Sequence, residues 1–110
     1  MTWITVIEIF EHGGATPPNA HVAAWEQFVV LAGEGRARCD GRDTELAGGD
    51  VLLIPPGAEH VIENTGPGKL YCLTTMTPDE GFADLIRSGI PVRLDADDRA
   101  VLSNRLAHAP

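Results

Sequence analysis

Cysteine is scarce in this sequence, and long apolar runs are absent from it. Cys39 and Cys72 are too few and too far apart for a disulfide framework or a CxxC site, so two buried thiols in a reducing cytosol are expected. No run approaches the roughly 20 apolar residues that a membrane-spanning helix requires. The apolar N-terminus has no basic n-region and is interrupted by Glu8 and Glu11, which argues against a signal peptide. A cytoplasmic protein is therefore expected.

Positive charge is also scarce, because eight Lys and Arg residues stand against sixteen Asp and Glu residues, for a formal net charge of -8 at pH 7. The basic residues are scattered singly from Arg36 to Arg105. Nucleic acids and anionic membrane surfaces are bound through clustered positive charge. The sequence therefore predicts no nucleic-acid partner and no membrane partner.

Aromatic residues make up only 5% of the chain, but 44% of it is hydrophobic, and 110 residues suffice for one core. We therefore expect a single domain over residues 1–110. Glycine and proline punctuate the first part of the chain, and the short β-type runs between them are typical of an antiparallel sandwich or small barrel. Asp40-Gly41 between two of these runs predicts a hairpin. The runs are Trp3–Phe10, Gln27–Leu31, Arg36–Cys39, Thr44–Leu46, Val51–Ile54, His60–Glu63 and Leu70–Met76.

The C-terminal part of the chain changes character and predicts two short helices. Thr77 is expected as an N-cap, with Pro78 at the first helical position and the helix ending at Gly89. A second start signal follows Leu94, where acidic residues fall on the first turn. The apolar positions of the two helices are Phe82, Leu85, Ile86, Val101, Leu102 and Leu106. We predict an all-β barrel over residues 3–78 and a helical segment over residues 78–108.

Residues 49–64, GDVLLIPPGAEHVIEN, contain a sharp motif. They resemble the second motif of the cupin superfamily, G-x5-P-x-G-x2-H-x3-N. Every specified position of that motif is met, by Gly49, Pro55, Gly57, His60 and Asn64. Five specified residues at fixed offsets make this the stronger of two resemblances.

Residues 13–33, GGATPPNAHVAAWEQFVVLAG, are similar to the first cupin motif, G-x5-H-x-H-x3,4-E-x6-G. Gly13, His21, Glu26 and Gly33 are in register, whereas Asn19 stands where the family usually has its first histidine. The resemblance implies a double-stranded β-helix, or jelly-roll, barrel with a divalent metal inside. It also implies that His21, Glu26 and His60 are three of the usual four metal ligands.

The residues themselves support a site. Alternation along a strand after Glu26 places Phe28 and Val30 on the same side as its carboxylate. If that side is the interior, the carboxylate must be protonated, paired or metal-bound, because an unpaired buried charge costs several kcal/mol. No Lys or Arg lies in the first motif segment before Gly33, and none lies between Asp43 and Asn64. The two motif segments do contain two histidines.

Two imidazoles and one carboxylate suit Fe(II) best, and Mn, Ni, Co or Zn would also be compatible with them. Asn19 shares a face with His21 on an extended strand and either adds a neutral fourth ligand or leaves that position to water, dioxygen or substrate. A turn residue after Pro17-Pro18 is the alternative interpretation of Asn19. A metal-free hydrogen-bonded cluster is the alternative for the whole site.

The leading functional hypothesis is a small metal-dependent enzyme that acts on a small organic substrate. Dioxygenase or oxidase chemistry is favoured over isomerase, lyase or cyclase chemistry on sugars or polyketides, with Glu26 and His60 as the predicted catalytic residues. Two alternatives stay open: a barrel that binds a small ligand without catalysis, and a metal-free enzyme in which His21 and Glu26 form an acid–base pair.

Further expectations concern the surroundings of the site. Asn64 or Gln27 is expected to orient a metal ligand, and Trp25 is expected to point outward. A homodimer is expected because Trp3–Phe10 is apolar on both faces and needs a cover, which the C-terminal helices could also supply. Candidate cavity-lining residues are Phe28, Val30, Ile62 and Met76, although ordinary core packing is the favoured role for most of them.

Overall fold

Seven strands and two short helices follow one another in the computed structural model, which describes residues 2–103. The strands are β1 (Ile4–Phe10), β2 (Trp25–Ala32), β3 (Glu34–Cys39), β4 (Arg42–Ala47), β5 (Val51–Ile54), β6 (His60–Asn64) and β7 (Leu70–Thr77). The helices are α1 (Phe82–Arg87) and α2 (Ala96–Leu102). Each predicted strand is present, and the differences lie at the strand ends.

The strands form two antiparallel sheets, of order β1-β7-β2-β5 and β4-β3-β6. Alternate residues of each strand face the space between the sheets, as the period of a pleated strand requires. The predicted double-stranded β-helix is confirmed. The buried apolar core between the sheets consists of Phe10, Phe28, Val30, Ala37, Leu46, Ile54, Ala58, Ile62, Leu70 and Cys72.

Glycine makes two of the tight connections possible. The β3–β4 hairpin turns at Asp40 (φ 49°) and Gly41 (φ 79°), and the predicted hairpin is thereby confirmed. Gly33 joins β2 to β3 with φ at +96°, where a Cβ atom would lie 2.4 Å from the backbone oxygen of Lys69. Only glycine fits this passage from one sheet to the other.

The first helix begins later than predicted. Thr77 is not an N-cap, because it continues β7 and pairs with Trp25 of β2. The helix begins at Phe82 after Gly81, whose φ of 89° is left-handed. The carboxylate of Asp79 accepts a hydrogen bond from the Phe82 amide at 2.8 Å. The strand pairing of Thr77 therefore overrides the local capping signal.

The second helix begins as predicted. Asp95 is its N-cap and forms a capping box with Asp98, whose backbone amide and side chain both take part. Leu106 and the rest of the predicted helical segment after residue 103 lie outside the described residues. Among residues 2–103, neither helix is long and apolar enough to cross a membrane.

Helix α2 covers one end of the outer face of β7. The Tyr71 hydroxyl donates to Asp98 at 2.7 Å, and the Lys69 ammonium donates to Asp98 at 2.9 Å. Tyr71 is buried. Beyond this cover, Ile7 and Trp25 remain exposed on the same sheet, and the outward orientation predicted for Trp25 is confirmed. The homodimer stays a prediction.

The two cysteines are free thiols in different surroundings. Cys72 is buried in the core, and this burial raises the pKa of its thiol to about 12. Cys39 is only partly buried, at the edge of the core. The expectation of a buried thiol is therefore confirmed for Cys72, while Cys39 retains some exposure.

Candidate metal centre

Three side chains from three parts of the fold meet at one end of the barrel. Glu26 lies on β2 of the four-stranded sheet, His60 begins β6 of the three-stranded sheet, and His21 lies in the loop before β2. The carboxylate oxygen Oε1 of Glu26 is 2.8 Å from Nε2 of His60 and 3.2 Å from Nε2 of His21. Each residue offers a ligand atom within 4.8 Å of the other two. The cluster named in the sequence motifs is therefore brought together.

Glu26 is a buried carboxylate among apolar neighbours. It is 4% exposed, and the next inward residues of its strand, Phe28 and Val30, are buried with it. Ile54 of β5 and Met76 of β7 pair with Glu26 across the sheet, and both are buried. The alternation along β2 therefore places this carboxylate in the interior, where the two histidines among the described residues lie within hydrogen-bond distance of its Oε1 atom.

The His60 ring is oriented by the backbone. Its Nδ1 lies 3.0 Å from the carbonyl oxygen of Ala58, and a carbonyl can only accept, so Nδ1 carries a proton. In the neutral ring, Nε2 then presents a lone pair to Glu26 Oε1, 2.8 Å away. Two acceptors this close need a proton or a cation between them. The contact to a backbone carbonyl is the one that metal-binding histidines commonly make.

The surroundings of the His60 ring also change its pKa. Burial lowers the pKa of His60, but the hydrogen bonds to Glu26 and Ala58 and the charges of Glu26 and Glu8 raise it overall. A proton is therefore held on His60 more firmly than on an ordinary histidine. A cation that replaced this proton would meet the same electrostatic attraction.

The loop that carries His21 is held by hydrogen bonds at His21 and at the two residues after it. The carbonyl of His21 accepts a hydrogen bond from Gly57 at 2.7 Å. The carboxylate of Glu80 accepts from the amides of Val22 at 3.2 Å and Ala23 at 2.8 Å, and these amides lower the pKa of Glu80. Sequence reasoning placed Glu80 only in the first turn of a helix, since nothing in the local pattern connects it to a loop almost sixty residues earlier.

Asn19 lies at the edge of the site. Its backbone pairs with that of His60, through N–H···O distances of 3.2 Å from Asn19 and 2.9 Å from His60. Asn19 is exposed and lines the same cavity as His21 and Glu26. Its role as a metal ligand stays a prediction.

Glu8 is a second, partly buried carboxylate on the inward face of the barrel, and sequence reasoning missed it. It follows Val6 and precedes Phe10 on the inward face of β1, opposite Cys72 of β7. Burial raises the pKa of Glu8, and the charge of Glu26 adds to this effect. The alternation of Val6, Glu8 and Phe10 is the signal for this orientation, and the interpretation of Glu8 as a polar interruption of an apolar run overlooks it.

A cavity of about 140 Å³ opens over the cluster. His21, Glu26 and Met76 form its floor, and Met76 is 1% exposed. The rim is formed by Asn19, Glu80, Gly81, Phe82 and Leu85. Helix α1 and the residues before it therefore face the mouth of the barrel.

The expectation that Asn64 or Gln27 orients a metal ligand is not met by their contacts. Gln27 is exposed on the outer face of β2. Asn64 is buried, and its amide nitrogen donates to the carbonyls of Phe10, Glu11 and Gly68 at 2.8–3.0 Å. Its oxygen accepts from the Gly66 amide at 2.9 Å. Asn64 therefore fastens two loops at the opposite end of β6 from His60.

An Asn64→Ala substitution should lower the free energy of unfolding by about 2–4 kcal/mol, because it leaves several backbone groups without their partner. The metal affinity of the folded protein should change by less than about twofold. Urea unfolding and a metal titration on the same preparation measure the two effects. A large loss of metal affinity in folded Asn64→Ala protein would show that Asn64 acts on the ligands after all.

A family model described as the cupin domain matches residues 6–76. Among curated proteins, the chain is similar to the oxalate-binding protein of Thermotoga maritima, with 35% identity over 64 residues, which are 58% of this chain and 53% of that protein. The chain therefore spans about half the length of that relative.

Solved structures give the same fold. A predicted oxalate decarboxylase from Thermotoga maritima has a TM-score of 0.65 at 29% identity, over 66% of this chain and 64% of that one. A putative sugar phosphate isomerase from Acidithiobacillus ferrooxidans has a TM-score of 0.65 at 27% identity, over 69% of this chain and 50% of that one. The barrel that holds the candidate site is thus shared with both.

Proposed function

Because the chain belongs to the cupin family, we propose that it is a metal-dependent enzyme that binds one divalent cation through His21, Glu26 and His60. Its substrate would be a small organic molecule bound in the cavity above these residues. The observation that carries the proposal is the approach of Nε2 of His60 to Oε1 of Glu26 at 2.8 Å, with the other ring nitrogen committed to a backbone carbonyl.

The donor atoms fit a cation. Two adjacent ligands bound at about 2.1 Å lie about 3 Å apart around an octahedral metal ion and about 3.4 Å apart around a tetrahedral one. The two nitrogen–oxygen distances in the cluster, 2.8 Å and 3.2 Å, are close to the first of these spacings. Two imidazoles and one carboxylate, with positions left for substrate, suit Fe(II) best, and Mn, Ni, Co and Zn are also compatible.

Each residue contributes differently to the chemistry. When bound, the cation would act as a Lewis acid on substrate oxygens and, as iron, would also activate dioxygen. Glu26 offsets one of its charges, the Ala58 carbonyl keeps the His60 ring in position, and Glu80 holds the loop of His21. Glu26 and His60 thus support catalysis as ligands.

Oxidase or dioxygenase chemistry is our first proposal for the reaction, because this donor set is that of non-haem iron oxygenases. An isomerase is the second candidate, because a cation held by this donor set could also polarise a substrate carbonyl as a Lewis acid without dioxygen. The similarity to a putative sugar phosphate isomerase supports the same alternative.

Metal analysis followed by oxygen uptake tests the proposal. The purified protein should contain one Fe, Mn, Ni, Co or Zn per chain, and a Glu26→Gln variant of similar shape should contain little. Iron-loaded protein should consume dioxygen with a diketone, catechol or flavonol substrate. Substrate turnover without oxygen uptake would favour the isomerase, and folded protein that takes up no metal would contradict the proposal.

The Asn19 position offers a separate test. An Asn19→His substitution should tighten metal binding by about tenfold or more if the side chain faces the cation, because an imidazole is a stronger ligand than a neutral amide. The Asn19→Ala variant is the matched control and should bind metal no more tightly than the unsubstituted protein. Unchanged affinity in both variants would place the Asn19 side chain outside the coordination sphere.

A further inference from the structure

The carboxylates at the cavity give it negative charge that no Lys or Arg of the described chain offsets there. Glu26 lies on its floor and Glu80 on its rim, and Glu8 lies in the interior close enough to influence both Glu26 and His60. Glu80 is ionised at neutral pH because backbone amides hold its pKa below the usual range. No Lys or Arg among residues 2–103 lines this cavity.

Four of the seven basic residues among residues 2–103 pair with carboxylates away from the cavity. Those with carboxylate partners are Arg36 with Glu45 and Glu63, Arg38 with Asp43, Lys69 with Asp95 and Asp98, and Arg87 with Asp84. Arg87 belongs to α1, but it lies two residues after Leu85 and therefore on the opposite side of the helix from the cavity. None of these pairs brings positive charge to the metal site.

The wall above the site is apolar. Phe82 and Leu85 of α1 line the cavity, and Leu85 is 67% exposed. Helix α1 has no buried residue, so its apolar side chains are not packed in the protein core. Together with Met76 on the floor, they provide a hydrophobic surface for one side of a ligand.

We propose that this cavity selects an uncharged small molecule with a metal-binding oxygen pair and an apolar group, and that it discriminates against dianions such as oxalate. The inference rests on the proposed metal site. A divalent cation beside Glu26 keeps one net positive charge, which a dianion overcompensates. The excess negative charge would then lie beside Glu26 and Glu80 in a partly buried site, with no Lys or Arg of residues 2–103 lining the cavity to balance it.

The test uses Co(II)-loaded protein, whose visible absorption reports ligands that reach the metal. The two probes are oxalate, which binds as a dianion, and acetylacetone, a diketone that is uncharged in solution at neutral pH and binds a metal as its singly charged enolate after releasing one proton. Each affinity is divided by the affinity of the same probe for Co(II) in water, which removes the intrinsic preference of the metal. The normalised affinity of oxalate for the protein site should be at least about tenfold lower than that of acetylacetone. Dialysis checks that oxalate has not extracted the metal.

Two substitutions of Leu85 separate the effect of added positive charge from the effect of added polarity. Leu85→Arg adds a cation at the mouth and should tighten oxalate binding by about tenfold or more, while Leu85→Gln adds polarity without charge and should leave it unchanged within about twofold. Both variants should weaken acetylacetone binding, because both remove apolar surface.

The outcomes are distinguishable. Failure of the protein to bind Co(II) would overturn the proposed function and this inference with it. Tight Co(II) binding with oxalate favoured as strongly as acetylacetone, or with no gain from Leu85→Arg, would overturn the inference alone. Selectively weak oxalate binding that is strengthened in Leu85→Arg would support both the proposed function and this inference.

Discussion

A His60→Ala variant should bind divalent metal more than about 100-fold more weakly than the unsubstituted protein. The loss of a direct ligand should exceed the 10–100-fold cost that is typical for removing a residue that merely orients one. His60 is 3% exposed, and its Nε2 is the closest nitrogen to Glu26. Without it, His21 and Glu26 are left as a two-residue site, which holds a cation poorly.

Metal content after gel filtration and a direct titration of the metal-free protein measure this effect. His12→Ala is the matched control, because His12 is exposed, lies outside the cluster and bonds to the Gly66 carbonyl at 2.7 Å. The control should retain full metal binding. If folded His60→Ala protein bound metal as tightly as the control, the convergence of the three side chains would have no role in metal binding.

Adding a single methyl group at Gly33 should lower the free energy of unfolding by about 3–5 kcal/mol. Two costs add in Gly33→Ala. The backbone has φ at +96°, which is strained for alanine, and the new Cβ would lie 2.4 Å from the Lys69 oxygen and 2.9 Å from the Leu70 Cα atom. Since both atoms belong to the backbone, relief requires the start of β7 to move.

Gly49→Ala separates the two costs. Gly49 has nearly the same φ, +93°, but a Cβ there would meet nothing within 4 Å. It should cost only the strain, about 1–2 kcal/mol. Urea unfolding of the two variants without metal gives the difference directly. Equal losses in both variants would mean that the contact with residues 69 and 70 contributes nothing.

The sequence was most informative where spacing and strand period agree. Alternation along β2 and the offsets of the two motifs together identify His21, Glu26 and His60, and a local hairpin signal identifies the turn at Asp40-Gly41. These features depend on neighbours along the chain or on a pattern shared with a known family.

Features that depend on distant pairing were missed or assigned wrongly. Glu80 reaches the loop of His21 only because β7 ends beside β2, and Thr77 is drawn into the sheet by Trp25 instead of capping a helix. Asn64 meets the family motif, but its partners are backbone groups of loops that no motif specifies. Long-range contacts of this kind produce no periodic pattern in a single sequence, so they cannot be predicted from it.

Glu26 and His60 belong to different sheets, and this has a consequence for how the protein is handled. An ion bound by both would cross-link the two layers at the open end of the barrel, so its loss would loosen the fold as well as the site. At a free metal concentration of about 100 times the dissociation constant, such a cross-link adds about 2.7 kcal/mol to the unfolding free energy. Preparations that differ only in metal occupancy should accordingly melt at different temperatures, and thermal stability would serve as a gauge of how fully the protein is loaded.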